Sequence, residues 1–195
     1  MAPVSAPTTT EHAVLGLLAF GETSGYDLAR TAAKSTAYIW APSRSQIYKV
    51  LPRLVAAGYA TSRAVEQLDR PDKELYRITG KGRLALRSWV EHVDDEPAGG
   101  IGVFLLKLFF AWAAPPEAGL RQLEAYQRLI ERRLAVFEEL ERGLGPTDPV
   151  HARIALRHGI ARARATLDWA EETRRTLVET QAAPRGRSSQ TSPRR

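Results

Sequence analysis

Ser45, Gln46, Lys49 and Arg53 are short polar donors and cations whose spacing suits hydrogen bonding and charge pairing rather than bond making. At about 100° per residue they share the face opposite Ile47, Val50, Leu51, Leu54 and Val55, apolar residues that recur at steps of three and four. Such a helix buries one face and offers the other to base edges and phosphates. Ser43 is a fitting N-cap for it and Gly58 a fitting stop. Arg44, on the flank, suits a phosphate better than a base. Tyr48 could meet a phosphate through its hydroxyl or pack over the hairpin that comes next in the chain.

That hairpin is predicted from two strand-like runs and a turn. Tyr59 to Gln67 and Lys73 to Ile78 are rich in Thr, Val, Tyr and Ile, and Leu68 to Asp72 between them is dense in turn formers. Arg70 and Lys73 would sit at its tip, where cations meet phosphates or the minor groove. From Thr23 to Val90 the chain carries 12 Lys and Arg against 5 Asp and Glu, whereas residues 97–183 carry 12 against 11. The surplus behind the net charge of +6 and the pI near 9.9 is thus concentrated around this helix and hairpin.

Other chemistries find no support. The absence of cysteine removes disulfides and thiolate chemistry. His12, His92, His151 and His158 have no metal-ligand spacing, and Gly99-Gly100-Ile101-Gly102 lacks the Lys-Ser or Lys-Thr of a phosphate-binding loop. The expectation is a protein that is not an enzyme and uses no cofactor or metal. Trp40, Trp89, Trp112 and Trp169 are read first as core filling, with Trp112 and Trp169 the two candidates for an aromatic effector site. Ile101 to Ala114, the most apolar segment, holds Lys107 and is too short to span a bilayer. Met1 to Thr10 lacks the pattern of a secretory signal, so the expected location is cytoplasmic, without membrane contact.

The pattern along the chain predicts a mainly α protein with a small β-wing. Residues 1–9 read as a disordered tail. Residues 10–96 read as a winged helix-turn-helix, with a first helix capped by Thr10, a second by Ser24, the Ser43 helix, the hairpin, and a fourth helix capped by Thr79 whose inner surface holds Leu84, Leu86, Trp89, Val90 and Val93. The acids, Pro and Gly of 94–102 mark the boundary. Residues 97–183 read as a helical dimerisation domain, in which Leu123, Tyr126, Ile130, Leu134, Phe137, Leu140 and Leu144 have the spacing of a seam and Asp148 caps the last helix. Residues 184–195 read as a disordered basic tail.

Taken together, His12-Ala13-Val14-Leu15-Gly16-Leu17-Leu18, Ser24-Gly25-Tyr26-Asp27-Leu28, Ser45-Gln46-Ile47-Tyr48, Gly58-Tyr59, Arg70-Pro71-Asp72-Lys73, Tyr76-Arg77-Ile78-Thr79 and Gly82-Arg83 resemble the PadR family of transcriptional regulators. Leu105 to Phe110, Leu156 to Ile160 and Trp169 resemble the helical C-terminal domain of its subgroup with a long, virulence-regulator-like tail. The resemblance implies a homodimer that reads a two-fold operator on double-stranded DNA, acting mostly as a repressor and in several relatives released by a small aromatic or drug-like molecule. Many members have Pro directly after the Ile-Tyr or Leu-Tyr pair. Here Lys49 stands there and Pro52 comes three residues later, where it removes one helix donor and is expected to kink the axis. The alternative from another class is a helical protein-interaction adaptor whose winged helix grips a protein instead of DNA.

Overall fold

A computed structural model describes residues 6–40, 42–66, 73–94 and 99–182. The order of elements is α1 (Thr9–Leu18), β1 (Thr23–Ser24), α2 (Gly25–Ser35), α3 (Arg44–Ala56), β2 (Ala60–Val65), β3 (Lys73–Ile78), α4 (Gly80–Glu91), α5 (Gly100–Phe109), one 3-10 turn (Ala111–Ala113), α6 (Glu117–Gly143) and α7 (Val150–Ala182). Mainly helical architecture with a small antiparallel sheet is therefore what the chain adopts.

The first four helices begin where a hydroxyl can accept from the first turn. Ser24, Ser43 and Thr79 cap α2, α3 and α4 as their positions predict. For α1 the cap is Thr8, not Thr10. The reason is Glu11, three residues after Thr8, whose carboxylate accepts from the Thr8 N–H at 2.7 Å while the Thr8 hydroxyl accepts from the Glu11 N–H at 3.3 Å. α3 ends in a complete Schellman arrangement. Gly58 adopts φ 74°, its N–H reaches the Val55 carbonyl at 2.9 Å, and the Tyr59 N–H reaches that of Leu54 at 2.8 Å.

The hairpin runs antiparallel in register from Ala60 opposite Ile78 to Val65 opposite Lys73. β1 adds a third strand on the other side of β3, pairing Thr23 with Tyr76 and Ser24 with Leu75. Two residues are too few to show any periodicity, which is why the sequence predicts only two strands. The turn expected at 68–72, and Arg70 with it, lies outside the described residues, as do residues 1–5 of the tail expected at 1–9 and the tail expected at 184–195, whereas Thr8 and Thr9 of that first tail cap and open α1.

Buried on every side, α1 is the centre of the first compact unit. Ala13, Val14, Leu15, Leu17 and Leu18 meet Leu28, Ile47, Leu51, Leu54, Ile78, Leu86 and Val90 in one cluster. Leu106, Phe110 and Ala118 belong to the same cluster. Gly16 makes room for Phe110, since a Cβ there would stand 2.4 Å from the ring. Compact packing accordingly continues to Leu129, beyond the composition break at 94–102. Leu84 departs from its expected place and is 65% exposed, because it lies about 200° around α4 from the buried Leu86.

At its C-terminus α4 is closed by side chains from far along the chain. Gln122 of α6 donates from Nε2 to the Val90 carbonyl at 2.8 Å and to that of His92 at 2.7 Å. Lys107 of α5, 3% exposed at its side chain, donates to the His92 carbonyl at 2.6 Å and pairs with Asp94 at 2.8 Å. Burial works against the Asp94 carboxylate, yet the Lys107 ammonium beside it holds its pKa below the ordinary value.

In the second unit, Ile130 onward, the end of α6 lies along α7. Ile160, Ala163 and Ala170 are buried, and Gly159 lets the Phe137 ring approach to where a Cβ would be 3.1 Å away. Arg157 with Glu141 at 3.1 Å and Arg164 with Glu138 at 2.7 Å bridge the pair. Leu140, expected in the seam, is 56% exposed. Asp148 does not cap α7, because its carboxylate turns back to accept from the Gly145 N–H at 2.7 Å.

Candidate nucleic-acid interface

The face predicted for α3 is the one the fold leaves open. Ile47, Val50, Leu51 and Leu54 are buried while Ser43, Arg44, Ser45, Gln46, Tyr48, Lys49 and Arg53 are exposed. The helix continues through Pro52 to Ala56.

These side chains are not equivalent. Gln46 belongs to a capping box, its Oε1 accepting from the Ser43 N–H at 2.8 Å while the Ser43 hydroxyl accepts from the Gln46 N–H at 3.2 Å. The Ser45 and Ser43 hydroxyls are 2.9 Å apart. Arg44 lies over the Tyr26 ring at 5.5 Å. Lys49 makes no side-chain hydrogen bond or ion pair among the described residues. Tyr48 packs its ring against Gly25 of α2, where a Cβ would be 2.9 Å from Cε1. Arg53 pairs with the buried Glu11 at 3.1 Å, which ties α3 to the cap of α1.

On the sheet, the cations are largely committed to acids. Lys73 donates to Asp27 at 2.8 Å and Arg63 grips Glu22 through two nitrogens. The Lys73 ammonium, then the Ser24 hydroxyl, hold the Asp27 carboxyl below its usual range, and Arg63 does the same for Glu22. Sequence reasoning misses Arg77. Tyr76 and Ile78 point inward, so period-two alternation turns Arg77 outward, where it makes no side-chain hydrogen bond or ion pair among the described residues. That alternation is present in the sequence and could have found it.

Trp112 is 51% exposed and lies against Phe20, ring centroids 5.0 Å apart. Trp169 belongs to the second unit and is 37% exposed. Trp89 stacks on His12 at 4.9 Å. Burial pushes the His12 imidazole down to about 4, so it is neutral near pH 7 and donates from Nδ1 to the Thr8 carbonyl at 3.1 Å. Among the described residues no group of three or more His, Asp or Glu could hold a metal, and no helix is long and apolar enough to cross a membrane.

A helix with one polar face open, followed by an antiparallel ribbon, occupies the segment that matches the model of the Transcriptional regulator PadR-like family, residues 14–88. Residues 14–88 thus form a PadR-like family domain. Residues 103–178 match a second model, Virulence activator alpha C-term. A Mycobacterium tuberculosis protein described as "Probable transcriptional regulator Rv1176c" is 28% identical over 86% of this chain and 97% of its own length. The "Negative transcriptional regulator PadR" of Bacillus subtilis is 33% identical over 51% of this chain and 55% of its own. The crystal structure of Bacillus subtilis PadR in complex with operator DNA aligns at a TM-score of 0.44 and 23% identity, covering 84% of this chain and 97% of that one. The matched segment, residues 14–88, is a PadR-like transcriptional-regulator domain.

Proposed function

We propose that this chain is a homodimeric repressor that binds a two-fold operator, placing the N-terminal half of α3 in the major groove and the β2–β3 ribbon beside it. The observation that carries the reading is the open face of α3, where Ser45, Gln46 and Lys49 stand clear of the core that buries Ile47 and Leu51. Arg44 and Arg77 serve phosphates, as does Arg70 on the sequence pattern alone. Arg53 and Lys73 reach DNA only by leaving Glu11 and Asp27, so they contribute less. Repression is supported by the name of the Bacillus subtilis relative, while dimerisation through the C-terminal helices rests on the family resemblance. Release by a small aromatic effector is supported by the exposed Phe20 and Trp112 pair, while Trp169 remains a candidate as a tryptophan of the helical C-terminal half.

A gel shift with the intergenic DNA beside its own gene, repeated across a salt series, tests this. The expected outcome is a saturable complex whose salt slope falls by roughly one unit when Lys49 or Arg70 is changed to Ala, across all sequences alike. A monomer that leaves this DNA unshifted in dilute salt at micromolar concentration overturns it. A thermal-shift screen with aromatic acids addresses the effector, and a stabilising hit that ignores Trp112→Ala removes that residue from the site.

A further inference from the structure

We infer that Gln46 meets the groove as a hydrogen-bond donor and selects a base that offers a carbonyl oxygen, guanine O6 or thymine O4. The inference rests on the DNA-binding reading above and adds the chemical class of base.

A glutamine carboxamide has a donor end and an acceptor end, and free in solution it presents either. Here the choice is made by the backbone. The Ser43 N–H can only donate, so the atom held 2.8 Å from it must be Oε1. The Gln46 backbone N–H donates to the Ser43 hydroxyl at 3.2 Å and completes the capping box, while the Oε1 contact alone orients the carboxamide with its oxygen toward the N-cap. With Oε1 drawn back to the N-cap, Nε2 is the leading polar atom of an exposed side chain. Reading adenine with a glutamine takes both ends of the amide at once, the oxygen on N6 and the nitrogen on N7. A cap-held Gln46 leads with its nitrogen alone. The bases whose major-groove edge offers acceptors with no amino group beside them are guanine and thymine.

The same geometry supplies its own control. Glutamate at this position keeps an oxygen for the Ser43 N–H, and so keeps the cap, but has no N–H to give. Gln46→Glu therefore changes the sign of the reading and leaves the helix intact. Gln46→Ala removes its half of the capping box, the bond to the Ser43 N–H, and the reading together.

The test is selection of bound duplexes from a randomised library by the full chain, by Gln46→Ala and by Gln46→Glu, with melting temperatures recorded for all three. The position at which Gln46→Ala flattens the preference is the one Gln46 reads. There the parent is expected to favour, by roughly tenfold, the base-pair orientation that puts guanine or thymine on the contacted strand. Gln46→Glu is expected to favour cytosine or adenine at that position, or to lose the keto preference while melting no lower than the parent. Gln46→Ala is expected to melt a few degrees lower, as loss of a cap predicts. No position flattened by Gln46→Ala, no preference there between the two orientations of a pair in the parent, or the same orientation still preferred by Gln46→Glu each overturn the inference. A parent chain that enriches no sequence at all overturns the DNA-binding reading itself, which separates the two failures.

Discussion

The N-terminus of α3 and the C-terminus of α4 are both helix ends whose spare backbone groups need partners, and they find them by opposite means. At α3 the partners are local, Ser43 and Gln46 three residues apart on an exposed surface. At α4 they come from 15 to 32 residues away, Lys107 and Gln122 reaching the carbonyls of Val90 and His92. The exposed end is cheap to change and free to face a ligand. The buried end couples three helices, so a change there is felt throughout the first unit.

The strongest challenge to that contrast is Lys107→Met, which keeps the volume but leaves Asp94 and the His92 carbonyl without their cation. With Asp94 part-exposed, the loss is expected at the low end of the range for halving a buried pair, about 3 kcal/mol. A denaturation midpoint that does not move would show that the contact holds nothing.

Next in size is the pH response of His12. Its folded pKa, about 4, lies below the unfolded 6.5, so the unfolded chain binds the proton first and stability falls as pH drops through the window from 6.5 to 4. The expected loss is on the order of 2 kcal/mol across that window, allowing for incomplete burial. Melting curves of parent and His12→Phe should converge in their acid dependence only if another group is responsible.

At the exposed end, Ser43→Ala should lower stability by about 1 kcal/mol, the ordinary worth of an N-cap. Equal costs for Ser43→Ala and Lys107→Met, measured by urea unfolding, would erase the distinction between local and long-range closure. Smallest of all, Leu84→Ser should stay within about 0.5 kcal/mol, because the side chain is already 65% exposed. Urea unfolding of that variant checks it, and a larger loss would mean that Leu84 is covered after all.

Particular residues show how much of the fold and of the interface is legible before any coordinates. The three-and-four spacing of Ile47, Val50, Leu51 and Leu54 locates α3 and its open face, since that pattern depends on a helix's own period. The same logic places Leu84 inside and Leu140 in a seam, and both are exposed, because periodicity assigns a stripe without saying how much of it a neighbour covers. Thr8 against Thr10 is decidable from Glu11, three residues on from the former. The engagement of Lys73 with Asp27 and of Arg53 with Glu11 is not, since each pair joins residues more than forty apart in the chain.

By itself, then, the order of residues determined the local elements: the capped helices, the glycine stop at Gly58, the hairpin strands, and the polar face of α3. Those arise from interactions within a turn or two of the backbone. Tertiary structure alone decided which cations of that face and of the sheet are committed to acids, that Phe110 fills the space left by Gly16, and that Gln122 and Lys107 close α4. Such contacts depend on distances between segments remote in sequence, which no local period encodes.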